Sequence, residues 1–321
     1  MKVITAYTPD GALVTGMKLL KECGSFELSR AGEVLVSDTP VTTRWPPNRS
    51  LASLNPIRDS NPFFHLNEAI WMLKGENDAR KLDVFVSDFS KRFAEPDGTL
   101  HGAYGYRWRK HFAFDQLEWI ISKLKEDPQS RQCVLQMWNC SNFVLDDDLK
   151  GDWKDRPCNT HIYFRIQGNL LDMTICCRSN DIIWGAYGAN IVHFGVLHEY
   201  MAAKIGVKLG FMYQVSNNFH AYTDVLGPLL LKMEKAGEWE RPHLQTMNMF
   251  NEPVYIDRDL DSWGLSDVNI YDVENNLFKI TTHANQALKN FRAGAPQPFA
   301  SVEWTDWHES IEKWLQRRAD K

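Results

Sequence analysis

Cys158 stands directly after Pro157, and two alternating apolar runs follow it and end in Arg178-Ser179-Asn180-Asp181. A thiol, a fixed cation, a hydroxyl, an amide and a carboxylate gathered at strand ends are more chemistry than a core strand requires. A thiol becomes a nucleophile where nearby cations favour its thiolate, and Arg156, Arg178 and His161 are the candidates in this stretch. Taken alone, Cys158 reads more readily as a small buried hydrophobe, the commoner fate of a free cysteine. A Cys–His hydrolase pairing with His161 is disfavoured, because three residues along a strand put two side chains on opposite faces. Glu68 sits among the apolar residues of HLNEAIWMLKG and reads first as an exposed helix glutamate, since buried carboxylates are rare.

The elements that must hold this cluster follow from periodicity. HIYFRI and LLDMTICCRS read as two strands joined at Gln-Gly-Asn. NIVHFGVLHEYMAAKIG reads as a helix, with apolar residues at Ile191, Phe194, Leu197 and Met201 and a stop at Gly206. VKLGFMYQVSNNFHAY reads as a strand plus turn, and TDVLGPLLLKMEKAG as a helix. Upstream, HLNEAIWML and FDQLEWIISKLKED are helical and SRQCVLQMWN is a strand. Residues 1–45 read as strands and turns, 76–100 as polar and helical, and 141–157 as an Asp- and Lys-rich loop. The chain closes in a Trp-containing helix, WTDWHESIEKWLQRR, placed at the surface or over a pocket. No linker divides the chain. The expected architecture is therefore one α+β domain over 1–321, built on a mixed β-sheet with flanking helices.

Bulk properties narrow the function. A net charge of −5 argues against a nucleic-acid partner. No apolar run approaches the ~20 residues that span a bilayer, so no membrane partner is expected. Six cysteines with no CxxC pair and no His-rich spacing imply no metal and a reduced, disulfide-free protein of the cytoplasm. Twelve tryptophans suit either a stacking pocket or a large core.

The motifs act jointly. SRQCVLQMWN, RPCN, CRSNDIIWG and YGAN, with EAIWML upstream, YGYRW between and VSNN downstream, resemble the thymidylate synthase family over roughly residues 28–230, leaving 231–321 as a variable region. The resemblance implies a homodimer joined through the sheet face. It implies that Cys158 adds to C6 of a pyrimidine nucleotide, so that C5 can accept a one-carbon unit from 5,10-methylenetetrahydrofolate. It matches Arg178 and Arg131 to phosphate-binding arginines, the latter reaching across from a partner subunit, where a planar guanidinium suits phosphate. Ser179 matches a serine near the phosphate and favours a deoxyribose. Asp181 matches the carboxylate near folate, and Trp71 joins the folate side. Glu68 matches a catalytic glutamate that manages protons and water, which reverses its first reading. Tyr104 matches a tyrosine that assists proton removal from C5. Arg30, in an R-x-G turn, matches a further phosphate arginine.

The departures are as informative. Arg131-Gln132 stands where two arginines are usual, and Asn159 where a histidine usually follows the cysteine. The sugar-binding His-x-Tyr aligns with Tyr213-Gln214-Val215, leaving Tyr213 as donor, with His220 and Tyr222 near enough in sequence to compensate. Counting back from Tyr104, Ser90 and Phe93 occupy the positions of two folate-side tryptophans. Without an indole over the exocyclic methylene, water can reach it, so the resemblance points within the family to the phage-type nucleotide hydroxymethylases. Asn190 matches the asparagine that reads uracil, whereas an aspartate there reads cytosine. GAYGAN is one residue longer than the usual Gly-x-Pro-x-Asn, so Ala189 is the alternative occupant.

The expected reaction is hydroxymethylation of dUMP. Reductive methylation of dUMP, hydroxymethylation of dCMP, a catalytically silent binding homologue and a cysteine hydrolase are the competing readings.

Overall fold

The computed structural model describes residues 1–140, 148–149, 151–237, 276–295 and 306–320. Part of the 141–157 loop and most of 240–305 lie outside the described residues.

The first 45 residues hold a helix that was expected to be strands and turns. β1 (Lys2–Thr5) leads into α1 (Pro9–Cys23), where the Thr8 hydroxyl accepts the Gly11 N–H and Pro9 takes the first helical position. Leu13, Met17 and Leu20 recur at helical spacing and are fully buried. β2 (Gly24–Ser29) and β3 (Gly32–Ser37) form a hairpin, followed by β4 (Val41–Trp45). α2 (Pro62–Leu73) starts at an Asn61 cap and carries Glu68.

The polar stretch 76–100 is mostly turns, not helix. It holds one 3-10 turn (Ala79–Leu82) and one short helix, α3 (Phe89–Phe93). The carboxylates of Asp78, Asp83 and Asp97 accept the backbone N–H groups of Arg80, Ser90 and Thr99. Such local bonds compete with helix propagation. α4 (Tyr104–Arg109), α5 (Gln116–Glu126) and β5 (Val134–Gln136) follow.

β6 (Asn159–Gln167) and β7 (Leu170–Asp181) are the expected antiparallel hairpin. A π-helix (Ile182–Ala189) then runs into α6 (Asn190–Ile205), which is buried continuously from Asn190 to Ala202. β8 (Lys208–Tyr222) continues as strand through the expected turn, because β3 pairs with its last three residues. α7 (Thr223–Ala236), α8 (Asn276–Arg292) and α9 (Asp306–Ala319) complete the described elements.

The strands form one mixed sheet in the order β1-β4-β8-β7-β6-β5, with β3 and β2 extending from the far end of β8. Alternation divides it into two faces. Ile162, Phe164, Met173 and Ile175 are buried on the helix side, whereas Tyr163 is 45% exposed and Thr174, Cys176 and Tyr213 are half-buried on the other. β7 and β8 are parallel, which sets Asp181 beside His220 and Ser179 beside Asn218. The architecture is the expected α+β fold, a mixed sheet with flanking helices.

Candidate active site

Cys158 lies just before β6, and its carbonyl accepts the Arg178 N–H of β7 at 2.9 Å. Arg178 folds back over the same turn, donating to the carbonyls of Pro157 and Arg156 at 3.2 Å each. Burial pushes the Cys158 thiol up, the Arg178 guanidinium pulls it down, and Asp155 and Asp181 raise it further. Arg30, exposed at the β2–β3 turn, also lowers it, so the resemblance-based phosphate arginine does lie within electrostatic reach of the thiol. His161 packs edge-on to Tyr163, with ring centroids 4.7 Å apart, and bonds to Thr160, which fits a side chain on another face from the cysteine.

Tyr104 opens α4. Burial, then the nearby Cys158, hold its hydroxyl well above the usual tyrosine range, and the Asn159 N–H reaches the same oxygen. A Cβ at Gly105 would overlap the Met72 carbonyl, so only glycine lets α4 approach α2 this closely. That approach brings Tyr104 and the Glu68 region together. Glu68 is 6% exposed, not the solvated helix glutamate of the first reading, and its Oε2 lies 2.7 Å from His193 Nε2. The Tyr104 ring meets His193 edge-on at 6.5 Å and stacks on Phe194 at 5.7 Å.

The extra residue in GAYGAN is taken up by the π-helix, whose wider turn absorbs one residue. The Asn190 N–H donates to the Gly185 carbonyl five residues back. A Cβ at Gly188 would crowd the Ile183 carbonyl and the Arg58 guanidinium. Arg58 donates from below to the Tyr187 and Ile183 carbonyls, which the irregular turn leaves open. With the insertion absorbed, the Asn190 side-chain amide donates to Asn180 Oδ1 at 3.1 Å, and the Asn180 amide donates to Ser216 at 3.0 Å.

Asp181 caps the π-helix, accepting the Trp184 N–H on Oδ2, while its buried Oδ1 has no partner among the described residues. Burial raises this carboxyl; the Trp184 N–H and the His220 charge oppose the rise. A buried acceptor of this kind suits the N–H groups of a pterin ring.

Other expectations fall elsewhere. Tyr213 pairs with Thr174, seven residues before Asp181 on β7, roughly 23 Å along an unbroken strand. The structure therefore does not bring Tyr213 together with Asp181. His220 pairs with Asp181 and meets Tyr222 edge-on at 5.5 Å, which places that pair beside Asp181. Trp71 is buried, and its indole N–H donates to the Asp78 carbonyl, so it fastens the 3-10 turn rather than facing folate. Ser90 donates its hydroxyl to Asp83 Oδ2 at 2.6 Å. Phe93 is 46% exposed and joins Phe89 at 5.0 Å, which joins Phe64 of α2 at 5.4 Å, one turn before Glu68. Ser179 is half-buried beside Asn218, and Arg131 is exposed just before β5. Sequence reasoning missed His193, Arg58 and Asp155 as members of this neighbourhood, and it singled out Asn180 without its tie to Asn190. No group of three or more His, Cys, Asp or Glu side chains among the described residues could hold a metal.

Comparison with known proteins adds an independent line. A thymidylate synthase family model matches residues 21–282. The chain is 38% identical to a deoxyuridylate hydroxymethyltransferase of Pseudomonas phage M6, across 99% of this chain and 95% of that one. A deoxyuridylate hydroxymethyltransferase of Bacillus phage SP01 is 36% identical over 53% of this chain and 46% of its own length. A thymidylate synthase of Bacillus subtilis subsp. natto is 28% identical over 54% of this chain and 61% of its own. The similarity thus extends beyond residues 28–230 in both directions.

Proposed function

The chain belongs to the thymidylate synthase family, and from that premise we propose that it hydroxymethylates dUMP with a one-carbon unit from 5,10-methylenetetrahydrofolate. The observation that carries this reading is the 38% identity to the phage M6 deoxyuridylate hydroxymethyltransferase over nearly the full length of both chains.

The Cys158 thiolate, favoured by Arg178 and Arg30, adds to C6 of the uracil, and the ring electrons move toward C5 and O4. Asn190 accepts the N3 proton on its amide oxygen and donates its second N–H to O4 as charge develops there. Methylenetetrahydrofolate, with its pterin N–H groups on Asp181 Oδ1, supplies the one-carbon unit to C5. Tyr104, beside Cys158, serves the removal of the C5 proton, whose electron pair forms the C5–methylene double bond and expels N5, so that tetrahydrofolate is released unoxidised. At the Ser90 position no indole covers the resulting exocyclic methylene, and water adds to its carbon. Glu68 takes the proton from that water. The enolate then collapses, the C6–S bond breaks, and the thiolate returns.

A homodimer belongs to the same reading. The sheet face opposite Ile162 and Phe164 exposes Tyr163 by 45% and Val134 by 41%, and exposed apolar side chains on a sheet suit a partner. Exposed Arg131 stands next to that face, as a phosphate arginine contributed across an interface would.

The test is the mass of the nucleotide formed from dUMP and methylenetetrahydrofolate. The expected product has gained one CH2O unit, with tetrahydrofolate as coproduct. Thymidylate with dihydrofolate, or turnover of dCMP in preference to dUMP, overturns the reading.

A further inference from the structure

We propose that His193 is the positioning residue of this reaction, holding Glu68 as the anion that takes a proton from the attacking water. The inference rests on the hydroxymethylation reading above. It starts from a hydrogen-bonded pair that no sequence motif announced: His193 on α6 and Glu68 on α2, 2.7 Å apart, 4% and 6% exposed. A carboxylate removed from water is costly unless it keeps a charge-assisted donor. The imidazole N–H is the side-chain donor that the structure supplies to it.

The surroundings leave the pair alone with the proton. Among the described residues, His65 and Tyr104 interact with His193, besides Glu68 itself. On α2, burial, then the charges of Arg58 and His193, push His65 down to about 3, so it stays neutral. On α4, Tyr104 is held well above the usual range and stays protonated. Neither competes for a proton near neutrality. The position after the cysteine cannot help either: Asn159 does not titrate, and its amide is tied to the carbonyls of His161 and Cys176 at 3.1 and 2.9 Å. The imidazole nearest the carboxylate comes from α6 instead. His193 also lies three residues after Asn190, on the same face of one helix. One rigid, buried element therefore carries both the amide that reads the base and the imidazole that holds the base-side carboxylate.

In the water step, the water oxygen bonds to the methylene carbon and the released proton goes to Glu68. The methylene electron pair moves into the C4–C5 enolate, whose collapse expels the Cys158 thiolate from C6. His193 keeps its Nε2–H on the carboxylate throughout, so it orients the acceptor and neither gains nor loses a proton.

Two polar substitutions separate this role from a packing role. His193→Gln places an amide N–H near the Nε2 position, whereas His193→Asn is too short to reach Glu68. Both are first shown to melt as the wild type does. The pH profile of kcat, the KM for dUMP and the product mass are then measured. His193→Asn is expected to lower kcat by about 100-fold with KM near wild type. Because a buried carboxylate stripped of its donor favours its protonated form, the acidic limb of the profile moves up by about one unit or more. His193→Gln is expected to recover about tenfold of the loss and to return the limb toward wild type. Equal impairment of the two variants with an unmoved acidic limb, or a wild-type profile in His193→Asn, overturns the proposal. The wild-type product is read in the same assay. If it is not the hydroxymethyl nucleotide, the reaction reading fails, and the role assigned to His193 in the water step fails with it. If it is, a negative variant result counts against His193 alone.

Discussion

Cys158 is half-buried among charges of both signs; desolvation, with Asp155 and Asp181, raises its thiol against the pull of Arg178 and Arg30. A bound phosphate would cancel part of the arginine charge, so the thiolate must form in a site whose geometry already favours attack. Base choice is a separate residue-scale matter. Asn190 donates one amide proton to Asn180, and that bond fixes which side of the amide faces outward. On the proposed reading, the locked amide presents Oδ1 to N3–H and its second N–H to O4, as uracil requires. Cytosine presents the reverse pattern and would need the amide flipped. Asn180→Leu removes the lock, so the ratio of kcat/KM for dCMP over dUMP should rise by roughly tenfold, the value of one hydrogen bond near 1.4 kcal/mol. An unchanged ratio in steady-state kinetics with both nucleotides would falsify the lock. The residues that touch substrate were legible because a nucleophile, arginines and a carboxylate recur in a recognisable order. Their holders were not. His193 lies in the apolar run NIVHFGVL, and Asn180 inside a polar cluster, so nothing local marks either as the partner of a residue 125 or 10 positions away.

At the scale of elements, the hairpin β6–β7 and the buried α6 could be read from period alone, because alternation and 3.6-residue spacing are local properties. α1 was missed because β-favouring residues surround a short start signal, and what decides for helix is the burial of Leu13, Met17 and Leu20 against the distant sheet. The placement of α4, and so of Tyr104, depends on another distant contact. Arg107 of α4 donates to the Met137 carbonyl at 2.6 Å and to Asp148 at 2.7 Å, both ionic side chains being fully buried. Burial pushes Asp148 up, but hydrogen bonds from His101, Arg107 and the Asn139 N–H more than offset it and bring the carboxyl to about 2. Its ordinary value is 3.8, so the folded form holds its proton less tightly than the unfolded chain. The stability this contributes is present above about pH 4 and lost as pH falls toward about 2. Asp148→Asn leaves the Arg107 charge buried without its counter-ion, at a cost of about 3–5 kcal/mol. In urea titrations the variant should unfold earlier at pH 7, and the gap to wild type should narrow as pH falls below 4. A midpoint equal to wild type at pH 7 would show that Arg107 finds another counter-charge.

Across the whole molecule, α6 is the shared axis: it carries Asn190 and His193 toward the site and Glu199 toward the carboxy-terminal helix. α9 is the Trp-containing helix expected at the surface or over a pocket. It packs Trp314 on Phe63 of α2 at 5.1 Å and clasps Asp59 with Arg317 and Arg318. Its helical period was legible, but its docking site was not, because that contact joins residues 258 positions apart, Asp59 and Arg317. Asp306 of α9 accepts the Ser50 hydroxyl and lines a small crevice with Arg49, Glu199 and Trp307. Burial pushes Glu199 up to about 8, with Arg49 pulling it down and Asp306 pushing it up. Between its ordinary value of 4.5 and about 8, the folded protein keeps a proton that the unfolded chain has released. Stability from this site is therefore full below about pH 4.5, declines as pH rises, and levels off above about 8. Glu199→Gln cannot titrate and keeps the volume. Its melting temperature should exceed that of wild type by roughly 5 °C or more at pH 8.5, and the difference should vanish near pH 5. A difference constant across that range would mean that Glu199 is already ionised beside Asp306 at low pH, and that α9 is docked by its aromatic and Asp59 contacts without help from a protonated carboxyl.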